Sequence, residues 1–62
     1  MNYAMAMLAE RLAEKLSEDS GLPTVLFHEK AYETIMAGKE EVGKILSEKE
    51  IKETGYYEEE GE

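Results

Sequence analysis

His28 is the only side chain whose ordinary titration lies near neutrality, so acid, base or metal chemistry would have to be built around it. General acid–base work needs a second polar group within hydrogen-bond reach, and an ordinary zinc site needs several His, Cys or carboxylate ligands. On a helix Glu29 would point away from His28 and Tyr32 would lie one turn on. There is no second histidine, no cysteine and no carboxylate four residues further along.

A Ser-His-Asp arrangement is open only to His28 and Asp19, across an expected turn. The serines have simpler uses, Ser17 and Ser20 at a helix end and Ser47 at a cap. Gly38-Lys39 and Gly43-Lys44 each lack the combination of a loop glycine before and Ser or Thr after that would cradle a phosphate. A single Asp rules out the Asp-rich calcium loop of the hand type. The expectation is a protein that is not an enzyme and uses no metal and no cofactor.

The stronger chemical signal is charge. The chain of 62 residues has a net charge of −8, which opposes direct binding to nucleic acid or to an anionic membrane. Two groups stand out. Glu10, Glu14 and Glu18 recur every four residues, which stacks like charges along one face of a helix. Tyr56 and Tyr57 precede Glu58, Glu59 and Glu60, so two aromatics supply contact area beside carboxylates that would orient on a cationic cleft. Either group could meet a basic surface of a partner protein.

These residues must be held by a small fold. Below about 70 residues a single core rarely stabilises a chain by more than a few kcal/mol, and without cysteine no disulfide can reinforce it. Asn2 to about Asp19 reads as a helix, with Met5, Leu8, Ala9, Leu12 and Leu16 in one apolar stripe. Gly21 suits the left-handed position after it, Leu22 would fold back on the last turn, and Pro23 ends it. Thr24 to Phe27 reads as a short extended or strand segment, buried on both sides or paired with another chain, the stretch near Tyr56 and Tyr57 being the candidate partner within this one.

Helical spacing returns with Ala31, Tyr32, Ile35 and Met36, and again with Val42, Ile45 and Leu46; a break is expected near Gly38, since Lys39 would otherwise fall on the apolar stripe. Ser47 and Glu50 have capping-box spacing, with Leu46 and Ile51 placed as a hydrophobic staple. The expected architecture is mainly α: a long N-terminal helix, a short extended segment and a second, broken helical region, either a small helical hairpin or an α+β arrangement with one or two short strands. Residues 1–55 would form one domain and residues 56–62 a solvated acidic tail.

The stretch Val25 to Lys39 faintly resembles the opening strand, helix and Gly-x-Lys corner of ASCH-type RNA-associated domains, over about a quarter of the chain. The charged motif that follows that corner in the family is missing, and the remaining length is too short for its barrel. A ribbon-helix-helix reading of Thr24 to Ile51 fails on its strand, where Thr, Val, Leu and Phe replace the polar side chains that reach base edges.

The functional expectation is an acidic protein-interaction module in the cytoplasm, an inhibitor that docks on a basic surface. One version is a nucleic-acid mimic of the kind that phage-encoded antagonists of host defence employ. The alternative is a homo-oligomeric regulatory or antitoxin-like protein, assembled through Met5, Leu8, Leu12 and Leu16.

Overall fold

The computed structural model describes residues 2–58, and Met1 and residues 59–62 lie outside the described part. The chain is mainly helical, with a long first helix followed by a broken helical region: α1 (Tyr3–Ser20), a 3₁₀ segment (Thr24–Phe27), α2 (His28–Ala37), α3 (Lys39–Gly43) and α4 (Glu48–Thr54). No strand occurs among the described residues.

Helix α1 starts where Asn2 accepts the Met5 N–H on its side-chain oxygen at 2.7 Å. Asn2 is therefore its cap rather than its first turn. At the other end Gly21 takes the left-handed conformation (φ 78°), and its N–H donates to the Ser17 carbonyl at 2.8 Å. Leu22 departs from expectation. It stays half exposed instead of folding back on the helix, and its backbone is held by serines: Ser17 Oγ donates to the Leu22 carbonyl, and the Leu22 N–H donates to Ser20 Oγ.

The segment Thr24–Phe27 is not extended. It is a turn of 3₁₀ helix whose Leu26 N–H donates to the Pro23 carbonyl at 3.1 Å, and it runs straight into α2. The reason lies in backbone satisfaction: with no strand beside it, the segment meets its donors locally, by i→i+3 bonds. Nor is it buried on both sides, since Val25 and Leu26 face outward and only Phe27 packs against the core.

Gly38 divides α2 from α3 as its spacing predicts. With φ 124° and ψ 164° it has a backbone that side-chain-bearing residues rarely adopt, its N–H donates to the Ile35 carbonyl, and its carbonyl accepts from Glu41 and Val42. The capping box at α4 is complete: Glu50 donates its N–H to Ser47 Oγ at 3.2 Å, and the Ser47 N–H donates to Glu50 Oε1 at 2.9 Å. Leu46 and Ile51, the staple pair, are both buried in the core.

That core is one cluster. Leu8, Ala9, Leu12 and Ala13 of α1 meet Ala31 and Ile35 of α2, Val42 of α3, and Leu46 and Ile51 at the start of α4. Three alanines let the backbones approach closely, so α1 serves as a spine against which the later helices fold.

Candidate functional site

Glu10, Glu14 and Glu18 are all exposed on α1. Helix geometry sets successive members about 6 Å apart along the axis. Among the described residues none of them makes an ion pair or hydrogen bond. The two cations of α1 are drawn to α4 instead. Arg11 reaches Glu53 with Nη1 3.0 Å from Oε1. Lys15 and Arg11 also act on Glu50: its carboxyl is held below the usual range first by the backbone and side-chain hydrogen bonds of Ser47, and then by those two positive charges. The result is a row of exposed carboxylates along α1, bordering α2 at Glu10, with Arg11 and Glu53 paired between α1 and α4.

The tyrosine pair is placed differently from expectation. Tyr56 and Tyr57 are half-buried and pack against the core, their rings edge to face with centroids 4.9 Å apart. The Tyr57 hydroxyl donates to the Ile35 carbonyl at 2.9 Å, and burial pushes its phenol above the ordinary value. The chain folds back here because Gly55 turns it (φ 74°) and Thr54 Oγ1 accepts the Tyr56 N–H. The two aromatics thus belong to the folded body, and an expected boundary at residue 55 cuts through packed side chains. Glu58 is exposed, while Glu59 and Glu60 lie outside the described residues.

The proposed assembly stripe also needs correction. Leu8 and Leu12 have no exposed surface within one chain, so they cannot form an interface while α1 holds its own core. Met5 and Leu16 remain partly accessible.

His28 opens α2 and shares a shallow recess of about 200 Å³ with Ala6, Ala9, Glu10 and Tyr32. The fold brings Glu10 near the histidine, a juxtaposition that sequence spacing does not reveal, yet no hydrogen bond or ion pair joins the two. No group of three or more His, Cys, Asp or Glu among the described residues could hold a metal ion. A wider recess, about 750 Å³ and open to solvent, runs past Lys39, Glu40, Lys44, Leu46, Glu48 and Ile51, where the two signs of charge alternate.

One surface feature escaped sequence reasoning. Leu22, Val25 and Leu26 are 50%, 66% and 61% exposed at the corner after α1, where a buried strand was expected. The stretch near Tyr56 and Tyr57, the one candidate partner strand in the chain, packs as a turn on the core instead, which leaves the apolar run after Pro23 without a ladder.

Comparison with protein-family models, with curated proteins and with solved structures yields no match. No helix among the described residues is long and apolar enough to cross a membrane.

Proposed function

We propose that this chain is a non-enzymatic, acidic protein-interaction module that docks on a basic surface of a larger protein and acts there as an inhibitor. One observation carries the reading: Glu10, Glu14 and Glu18 form an exposed row of carboxylates without an ion pair among the described residues, while Arg11 is engaged by Glu53 of α4. A surface of one sign speeds encounter with a partner of the opposite sign and disfavours other partners. The mimic version follows from the same row. Carboxylates about 6 Å apart approximate the spacing of roughly 7 Å between successive backbone phosphates, which would let the ridge enter a nucleic-acid channel.

The test is calorimetric titration of the protein with an oligolysine peptide at low and at physiological salt. Binding should weaken steeply as salt rises, and the triple substitution E10K/E14K/E18K should abolish it while leaving helicity intact. Equal binding by the substituted protein would remove the ridge from consideration. For the mimic version, inhibition of a nucleic-acid-processing enzyme should be competitive with the nucleic acid.

A further inference from the structure

Resting on the docking reading above, we infer that the corner formed by Leu22, Val25 and Leu26 is the apolar half of the interface, and that it seats in an apolar recess bordered by basic side chains on the partner. Three large aliphatic residues within five positions are half or more exposed, and none of them packs against the core cluster. Phe27 alone anchors the corner inward. Together they offer roughly 300 Å² of surface, about the size of the largest apolar patch on an ordinary monomer, which is often functional. Among the described residues the other exposed large apolar side chains are Tyr3 on α1 and Met36 on α2.

The corner is held in one shape. The Gly21 N–H donates to the Ser17 carbonyl, Ser17 Oγ donates to the Leu22 carbonyl, the Leu22 N–H donates to Ser20 Oγ, and the Leu26 N–H donates to the Pro23 carbonyl. Pro23 fixes its own φ at −63°. A surface already ordered loses little conformational freedom on binding.

Charge and area identify the occupant. Glu18, the last member of the carboxylate row, lies one turn before the corner, and Asp19 and Glu29 are exposed on either side of it; Lys30 is the one cation in this stretch. A second copy of the chain would bring these carboxylates face to face. The corner alone would bury far less than the ~800 Å² per partner of a stable interface, so its partner must also engage neighbouring surface, which here is acidic. A basic partner with an apolar recess satisfies both the ridge and the corner.

Two peptide probes of equal length and equal positive charge separate the contributions: an oligolysine spaced with glycine, and a lysine–leucine peptide with one leucine face. The ¹⁵N-labelled protein is titrated with each. The lysine–leucine peptide should bind at least tenfold more tightly, with the largest amide shifts at Leu22, Val25, Leu26 and Glu18. The triple substitution L22S/V25S/L26S should erase that tenfold difference while keeping oligolysine affinity. Equal affinity for the two peptides, or a difference that survives the serine substitutions, overturns the corner's role and leaves the ridge standing. Failure of both peptides to bind overturns the docking reading and this inference with it. Concentration-dependent dimerisation lost on L22S/V25S/L26S would show a second copy as occupant, which also overturns it. All of the substituted side chains are exposed, and the peptide map on the unsubstituted protein does not depend on any variant folding.

Discussion

Removing the Tyr57 hydroxyl tests whether the end of the described chain is part of the fold. In Tyr57→Phe the ring remains, so the perturbation is confined to one donor, which reaches the Ile35 carbonyl at 2.9 Å. That carbonyl also accepts the Gly38 N–H at 3.1 Å, so it keeps a partner when the hydroxyl is gone. The expected cost is therefore the net value of one hydrogen bond, about 1 kcal/mol, and not the larger penalty of an orphaned buried acceptor. For a chain of this length 1 kcal/mol lowers Tm by roughly 4–8 °C. A cut after Gly55 goes further: it also takes away both half-buried rings, and it should cost roughly 2–4 kcal/mol, a large share of the stability of so small a domain. Thermal unfolding followed by circular dichroism at 222 nm measures both. The pH dependence supplies a separate readout. Because burial raises the Tyr57 phenol, its contribution is present below the ordinary phenol value of 10.0 and is lost as pH rises through the folded value. In Tyr57→Phe that alkaline loss should shrink. A truncated chain as stable as the full one, or a Tyr57→Phe variant with unchanged Tm and an unchanged alkaline limb, would refute the packed-end reading.

Two further substitutions probe the breaks between helices. Gly38→Ala should destabilise by about 1–2 kcal/mol through backbone strain alone, since a Cβ at Gly38 would meet nothing within 4 Å; denaturant unfolding with an unchanged m-value would check this, and a neutral result would mean that the α2–α3 junction relaxes freely. Ser47→Ala should cost about 1 kcal/mol by removing the cap of α4. The Glu50 carboxyl, held low by Ser47, stabilises the fold above its unfolded pKa, and this contribution disappears as pH falls through the folded value. Because the larger cause is the Ser47 backbone N–H, which alanine keeps, Ser47→Ala should flatten the acid limb of stability only in part, measured as Tm between neutral and acidic pH.

Much of the helical layout was legible because it is written in local chemistry. The apolar stripe of α1, the stop at Gly21 and Pro23, the break at Gly38 and the Ser47–Glu50 box all depend on contacts within a few residues, and each occurs where its spacing placed it. Leu22, held outward by Ser17 and Ser20, is the local exception, and the other failures are long-range. Thr24–Phe27 has strand-favouring residues, but propensity becomes structure only when a neighbour supplies hydrogen bonds, and no neighbour stands there. The Tyr57–Ile35 contact joins residues 22 positions apart, and Arg11–Glu53 joins residues 42 apart, so neither leaves a periodic trace. The carboxylate row is exposed as read, whereas the tyrosines were assigned to solvent because glutamates follow them; packing after the turn at Gly55 decided otherwise.

The distribution of cations connects fold to proposed function. In a chain of net charge −8, every positive side chain committed to an internal contact leaves some acidic surface uncompensated. Arg11 pairs with Glu53 of α4 and, with Lys15, helps to hold the Glu50 carboxyl low, whereas Glu10, Glu14 and Glu18 are exposed and have no ion pair among the described residues. Like charges at that spacing oppose helix formation by a few tenths of a kcal/mol per pair, so the fold does not gain from the row. Reversing it in E10K/E14K/E18K keeps the like-charge spacing, so stability should change by no more than about 1 kcal/mol while binding to oligolysine is lost. A loss of stability in step with the loss of binding would instead show that the ridge supports the helix, and would remove the observation on which the docking reading rests.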